Sequence, residues 1–379
     1  MQFAFGEDQE LLRRTTRKFL DSRHPIAATR SRIENDVTLD RDVWREGAGL
    51  GWTAMLVPEE YDGGSITDQP VVDLVALAEE LGRQLYPGPV LATNVVADAI
   101  ATSGTDGQRK EHLPAIAAGD SIATWCLTGD GSTDLAAVEV CINGKGANLR
   151  LTGCARFVHD AHVADLLLVT AREGDDLSLV TVPADTAGVT TRVLGAIDLT
   201  RRFCEVRFDD VAVDPSQVHG DRGNAHESIE RALRLATVLQ AAEAAGAAEH
   251  LFELTVQYAK DRVQFGRAIG SFQAIKHRLA DLLIEVEAAR AAARYAALAV
   301  ADNRDDRDEA VAVAGSYVRE AFSHVCGEAL QVHGGIGFTW EHDVHLFLRR
   351  AKTDQALYGE PSWHRERLVS VIEAAEGAR

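Results

Sequence analysis

The chain has no CxxC pair and no disulfide framework: its five cysteines, Cys126, Cys141, Cys154, Cys204 and Cys326, are scattered singly over 379 residues. That usage fits a reducing cytoplasm. No apolar run approaches the length that spans a bilayer. Met1 to Asp21 is charged throughout and lacks the apolar core of a signal peptide. A cytoplasmic protein is therefore expected. Positive charge is scarce as well, with 39 Lys and Arg against 58 Asp and Glu and a formal net charge of -19. Such a surface repels nucleic acid and anionic membranes, so neither is an expected partner. An anionic ligand needs a local cluster of donors set against that background. The chain has no internal repeat.

Residues 8–119 read as helical. Leu11, Leu12, Thr15, Phe19 and Leu20 recur at roughly helical spacing, and 72–85 sets Val75, Leu77, Ala78 and Leu81 beside Glu79 and Glu80. Pro58 and the Gly63-Gly64 pair mark a loop between helices. The character changes near Ser121. Short β-rich runs follow at 122–127, 138–142, 166–170, 177–182 and 204–208, separated by Gly, Asp and Asn. They predict a small β-domain of antiparallel strands. After Asp214 the pattern is helical again, with long Ala- and Leu-rich stretches at 227–259, 271–303 and 307–332 that suit an antiparallel bundle. Residues 302–309, rich in Arg and Asp, read as an inter-helix turn.

The most informative stretch is 258–281, YAKDRVQFGRAIGSFQAIKHRLAD. A helix ends near Arg262, a turn containing Gly follows, and Ser271 is a good N-cap for the next helix. Arg262 offers a planar fork suited to phosphate oxygens. Gln273 adds an amide in the first turn, beside the positive helix end. An ordinary helical hairpin has the same spacing. In 331–338, QVHGGIGF, paired glycines permit close backbone approach to a ligand, and a tight helix-ending turn explains them as well. No strand precedes them, so this is not a GxGxxG fingerprint. His342 and His345 lack a third ligand at a recognised spacing, so no metal is expected. Ser132 lies in neither a nucleophile elbow nor a P-loop. His24, His112 and His277 read as surface or packing residues.

Together these segments resemble the acyl-CoA dehydrogenase family. The segment 258–281 is similar to its flavin-contacting turn, and Gln331, Gly334 and Gly335 match its QxxGGxG segment. Trp44, Gly51-Trp52, Pro58-Glu59-Glu60-Tyr61 and Gly63-Gly64 resemble its N-terminal domain, as do Gly119-Asp120 leading into Thr128 and the strand ending Phe208-Asp209-Asp210-Val211-Ala212-Val213. The resemblance spans nearly the whole chain. It implies an α+β multidomain fold: an N-terminal helical domain (1–120), a middle β-barrel or sandwich domain (121–215) and a C-terminal four-helix bundle (216–379). It implies FAD between the β-domain and the C-terminal helices, with the adenine end held by a neighbouring subunit. By motif, Thr128 bonds the flavin ring and Phe157 flanks it. Arg262, Phe265 and Gln273 hold the pyrophosphate, and Gln331, Gly334 and Gly335 meet the adenosine of FAD on the adjacent chain.

The resemblance also implies a carboxylate that removes the α-proton of a thioester while the β-hydride goes to the flavin. Most members carry it in Tyr-Glu-Gly-Thr; here the segment is Tyr358-Gly359-Glu360-Pro361, so the base position is Gly359. A minority place it on the preceding helix, where Ala236 and Thr237 stand. The usual Thr-Glu-Pro-Gly-Ala-Gly-Ser-Asp is shortened to Thr128-Gly-Asp-Gly-Ser-Thr-Asp134, and a threonine of the flavin loop is His159. Two glutamates are candidate substitutes. Glu360 is one residue out of register, and Glu243 lies seven residues beyond Ala236 on the same helix face. The plainer reading is the stronger for both: Glu243 as the partner of an arginine at a subunit interface and Glu360 as a solvated loop residue.

Some short actinobacterial-type members lack the base and form half of a hetero-oligomer that desaturates CoA thioesters of steroid side chains. This sequence resembles them in length, in Asp40-Arg41-Asp42-Val43-Trp44 and in Gly359. The first expectation is such a subunit: FAD-binding, in a dimer of dimers, with an acyl-CoA substrate and a flavoprotein-type electron acceptor. The alternatives are a self-sufficient homotetramer using Glu243 or Glu360, a flavin monooxygenase or oxidase on the same fold, and a structural subunit that has lost FAD.

Overall fold

A computed structural model describes residues 4–35 and 39–377. The N-terminal region folds as α1 (Glu7–Arg23), α2 (Ile26–Asn35), α3 (Arg41–Gly49), α4 (Pro70–Arg83), α5 (Val90–Ser103) and α6 (Asp106–Ala117). Local chemistry starts these helices. Asp40 accepts from the backbone N–H groups of Asp42 and Val43, each at 3.1 Å, at the head of α3. Pro70 opens α4, where its missing N–H costs nothing. Thr105 and Gln108 close a reciprocal capping box on α6. Every residue of α4 from Val71 to Arg83 is buried. Its charges are paired, Glu79 with Arg294 at 2.7 Å and Glu80 with Arg17 at 2.7 Å.

The middle region is one seven-stranded sheet: β1 (Ala123–Cys126), β2 (Cys141–Asn143), β3 (Leu149–His159), β4 (Leu166–Glu173), β5 (Asp176–Pro183), β6 (Val189–Leu194) and β7 (Phe203–Val213). The order is β1-β4-β2-β3-β7-β6, with β5 paired to β4. The expected all-antiparallel arrangement is corrected: β1 and β2 both run parallel to β4. Long connections through β2 and β3 permit this, whereas tight hairpins would not. The sequence pattern also hid two strands. Gly153, at φ +128°, breaks the alternation of β3 beside a bulge. β6 is a largely exposed edge strand without an apolar face.

The C-terminal region contains α7 (His226–Asp261), the small hairpin β8 (Val263–Gln264) and β9 (Arg267–Ala268), then α8 (Gln273–Ala301), α9 (Arg307–His333), α10 (Val344–Asp354) and α11 (Pro361–Gly377). The three long helices fall within a few residues of expectation, and α11 packs on α9 as the fourth. Ser271 does not cap α8. Its hydroxyl donates to the Ala268 carbonyl at 2.7 Å, within a short 3-10 turn that delays the helix to Gln273. Among the described residues no helix is long and apolar enough to cross a membrane.

The N-terminal and C-terminal regions are joined where α4 crosses α7. A Cβ on Gly82 would sit 1.9 Å from the Glu243 carbonyl oxygen, and one on Gly246 would sit 1.9 Å from that of Glu79. The two backbones therefore touch, and only glycine allows the crossing. Gly246→Ala is expected to destabilise the fold by roughly 1–3 kcal/mol or more, because rigid backbone rather than a side chain must yield. Denaturant melts of the variant check this; an unchanged midpoint would contradict the crossing.

A second join ties α5 to the sheet. His219 contacts the Ser103 hydroxyl at 3.1 Å through Nδ1 and the Thr181 hydroxyl at 2.5 Å through Nε2. Burial holds its pKa down to about 4, against ~6.5 in the unfolded chain. Its contribution to stability is complete above the unfolded value and is lost as pH falls from there towards the folded value. His219→Gln lacks the titrating group. The stability gap between it and the natural protein should narrow as melts are taken from neutral pH down to about pH 5.

Candidate functional site

A cavity of about 610 Å³ opens between the sheet region and the C-terminal helices. Loop 130–134, Phe157, 195–197 and Phe203 form one wall; Lys352, Leu357, Gly359, Glu360 and Trp363 are on the other. The first wall is built by β1 and β3. Thr128 is buried, and its hydroxyl donates to the Ser132 carbonyl at 2.7 Å, which pins the loop. Phe157 stands half-exposed with φ +55°, over Gly131, whose added Cβ would lie 2.4 Å from the ring. A left-handed phenylalanine is a strained conformation, and it falls here in the irregularity of β3 between Ala155 and Val158.

His159 follows in the same strand. It is buried between the rings of Phe203 and Tyr358, with centroids at 4.8 and 5.7 Å. Its Nε2 is buried and has no hydrogen-bond partner. Burial, then the Arg201 and Arg350 cations, hold its pKa well below the usual histidine value, so the ring is neutral. A neutral imidazole presents one donor and one acceptor. His159 and Phe157 share the wall of a further space of about 30 Å³ with Thr128, Leu357 and Tyr358. An unsatisfied buried nitrogen is costly. Beside an open cavity and an exposed aromatic face, it fits a flat, polar-edged heteroaromatic group.

The opposite wall is the segment between α10 and α11. Tyr358 and Gly359 take φ +52° and +97°. A Cβ on Gly359 would meet the Trp363 ring at 2.5 Å. Fully buried Arg319 clamps the segment from behind, donating to the carbonyls of Asp354 at 3.0 Å and Leu357 at 3.1 Å. Glu360 is exposed and lines the cavity.

Glu243 is elsewhere, buried at the far side of His159. It closes a space of about 20 Å³ shared with Tyr86, His159, Asp160 and Arg201. Arg350 donates to its Oε1 at 2.7 Å, and Arg201 donates to its Oε2. Arg350 also donates to Asp198 at 2.7 Å and to the Thr200 hydroxyl at 2.5 Å. Burial raises Asp160 to about 7 and Asp354 to about 6, against the pull of Arg201 and Arg350. Ala236 and Thr237 are buried on α7 and carry no carboxylate. The sequence reading missed Asp160, Asp198, Arg201, Arg319 and Arg350. The available signal was the Arg201-Arg202 and Arg349-Arg350 doublets in a strongly acidic chain.

The remaining predicted residues gather at the other end of the bundle. Arg262 ends α7, and Phe265-Gly266 turn the β8–β9 hairpin with φ +53° and +78°, leaving Phe265 92% exposed. Gln331, Gly334 and Gly335 are exposed at the end of α9. Tyr258 links the two ends: it stacks on His333 at 4.3 Å, and its hydroxyl donates to the His333 carbonyl at 3.3 Å. Gln273 is exposed at the start of α8. At 1.5 Å per residue, Arg262 lies about 28 Å along α7 from Glu243. One chain thus brings Thr128, Phe157 and His159 together, and separately links the end of α7, which carries Arg262, to the end of α9, which carries Gln331, Gly334 and Gly335, through Tyr258 and His333. Among the described residues no group of three or more His, Cys, Asp or Glu could hold a metal ion.

Family models match on both sides of the sheet: acyl-CoA dehydrogenase, N-terminal domain, over residues 6–120, and acyl-CoA dehydrogenase, C-terminal domain, over residues 226–372. The acyl-CoA dehydrogenase IpdE2 of Mycolicibacterium smegmatis is 34% identical over 97% of this chain and 99% of its own length. Among solved structures, the ChsE4-ChsE5 complex from Mycobacterium tuberculosis matches with TM-score 0.89 and 28% identity over 98% of this chain and 99% of the matched chain. A Tcur3481-Tcur3483 steroid ACAD variant matches with TM-score 0.86 and 31% identity, covering 98% and 99%.

Glu243→Ala should cost roughly 3–5 kcal/mol of stability, since it leaves two buried guanidinium groups short of a partner. Replacing both Arg201 and Glu243 by Ala keeps the charge balance and should cost less than the two single losses added together. A double-mutant cycle on unfolding free energies measures this; additivity would mean the two side chains do not interact.

Proposed function

Because this chain belongs to the acyl-CoA dehydrogenase family, we propose that it is the FAD-binding, base-less subunit of a hetero-oligomeric enzyme that desaturates a CoA thioester between Cα and Cβ, on a bulky, steroid-type acyl group. The observation that carries this reading is Gly359. Its φ of +97° and the Trp363 ring 2.5 Å from any added Cβ leave no place for a carboxylate side chain there. The backbone is fitted to glycine, so the missing base is a built feature of the cleft. The matches to a ChsE4-ChsE5 complex and a steroid ACAD variant support the hetero-oligomer and the acyl class.

Family members are FAD flavoproteins, and the flavin supplies the hydride-accepting centre when bound. In this chain Phe157 offers a flat face, Thr128 holds the loop beneath it, and the free His159 nitrogen offers a hydrogen bond to the ring edge. Arg262, Phe265 and Gln273 supply a fork, a ring and an amide for a pyrophosphate. Gln331, Gly334 and Gly335 allow close approach to an adenosine. The separation of about 28 Å along α7 favours a cofactor shared between two chains, its ring end in one and its adenosine end on the other. The partner's carboxylate takes the α-proton, within hydrogen-bond reach of that carbon. An electron-transfer flavoprotein-type protein would be the electron acceptor of the FAD-loaded complex.

A second reading keeps Glu360 as a base within this chain, because it stands on the cavity wall. Glu243 is a weaker candidate, since two arginines hold it. Anaerobic titration with an acyl-CoA decides between these readings. The chain alone should be yellow and stay oxidised, and should bleach only with a co-expressed homologous partner. Glu360→Gln should leave the rate of the complex within about twofold, whereas loss of a general base lowers it by ~10²–10⁴. Bleaching of the chain alone, abolished by Glu360→Gln, would overturn the base-less assignment.

A further inference from the structure

We infer that Arg30, on α2 of the N-terminal region, is a positioning residue for the adenosine-facing loop 334–343, clasping it in the shape that holds the cofactor. This rests on the reading of Gln331, Gly334 and Gly335 as adenosine contacts and names what keeps them in place. The loop cannot hold itself. Gly334 sits at φ +63°, and an added Cβ on Gly334 or Gly335 would meet nothing within 4 Å. Adjacent glycines without packing neighbours leave the backbone its greatest freedom. Ile336 and Phe338 follow, both exposed. The order of the loop must therefore come from its ends.

One end is fixed within the C-terminal region. His333 Nδ1 contacts the Ala329 carbonyl at 2.8 Å, and its ring stacks on Tyr258. The other end is held from the N-terminal region. Arg30 donates to the Trp340 carbonyl and, at 2.5 Å, to the Asp343 carboxylate. Its guanidinium also lies 5.7 Å from the centroid of the Trp340 ring. The Trp340 indole N–H donates at 3.3 Å to Glu34, one turn further along α2. Asp343 directly precedes α10, which the buried Arg350 contacts fix. α2 is itself tied to the end of α4, where the Ile26 N–H donates to the Gln84 side chain at 3.0 Å.

An isolated surface ion pair contributes little. This one differs, because the Arg30 side chain is only 17% exposed. Its fork also engages two groups of the loop at once, which a point charge such as lysine does not do. Without it, the glycine-rich segment leaves the binding shape for part of the time. Affinity then falls in proportion to the fraction that remains competent.

The test is FAD affinity. The FAD-loaded full-length protein is taken through a dilution series, and free flavin is read at equilibrium by its fluorescence. Arg30→Ala should raise the Kd about tenfold, as a loop in its binding shape roughly a tenth of the time requires. Millimolar guanidinium chloride should lower that raised Kd by about threefold or more, because the free cation offers the same fork. A general loosening of the fold would instead worsen with guanidinium. Arg30→Lys keeps the charge and loses the fork, and should raise the Kd about threefold or more. Arg23→Ala breaks an exposed pair with Glu46 elsewhere in the N-terminal region and should stay within about twofold of the natural protein. A change within twofold in either Arg30 variant would overturn the clasp while leaving the adenosine reading intact. So would an Arg30→Ala Kd that guanidinium fails to lower, or an equal loss in Arg23→Ala. Where Arg30→Ala fails to fold, Arg30→Lys decides alone. If the natural protein takes up no FAD, the cofactor reading itself fails and the clasp falls with it.

Discussion

Three parts of the chain meet at the Arg350 guanidinium. Its donors reach Asp198 and Thr200 from the loop before β7, and Glu243 from α7, while its own backbone belongs to α10. A buried charge is tolerated only when its donors are satisfied. Each of the three elements therefore has to arrive in one register for the others to be stable. The cleft lies against this junction, and the positions of its walls follow from it. The glycine crossing of α4 and α7 sets the depth at which Glu243 enters, since its carbonyl lies against Gly82. Chemistry and packing are thus coupled through a single helix, α7.

The wall opposite Phe157 is held by a second buried guanidinium of different character. Arg319 donates to backbone carbonyls at the end of α10, to Gly315 at 2.5 Å and to the Gln240 amide oxygen, and it is in no ion pair among the described residues. Burial lowers its pKa to about 10, still far above neutrality, so it stays charged. It meets the negative end of α10 and satisfies carbonyls that helix geometry leaves orphaned. This keeps Tyr358 and Gly359 in left-handed conformations that an unrestrained segment would leave. The glycine and its surroundings are consequently one unit: a larger residue at 359 would require Trp363 to move.

The sequence made the helical parts legible for a simple physical reason. Long Ala- and Leu-rich stretches such as 227–259 carry a periodic pattern that few other structures share, and α7 extends it by only a residue or two at each end. The sheet was less legible because its order depends on non-local pairing. Nothing in 122–127 or 166–170 announces that β1 and β4 run parallel, and Gly153 erases the alternation of β3. The site split in the same way. Residues in local turns, such as Arg262 and Phe265 in the hairpin, announce themselves by turn chemistry. Glu243 was visible as a carboxylate on the right helix face, but its two arginine partners lie 42 and 107 positions away. Their pairing exists only once the fold has formed, and it ties both carboxylate oxygens to guanidinium groups.

The placement of these groups along α7 bears on how the molecule works. His159 shares a space with Glu243 near the middle of α7, and Arg262 stands at its C-terminal end, about 28 Å away. The two groups are fixed on one rigid helix, so their spacing cannot change without unwinding α7. The arginine cluster and Gly359 also share a structural logic. Arg350 and Arg201 tie Glu243 of α7 to α10 and to the loop before β7, while Gly359, at φ +97° beside the Trp363 ring, lets the chain turn from α10 into α11 where a side chain would not fit. Both fix the two walls of the cleft relative to one another, so the width of the cleft is set by packing that no single element determines.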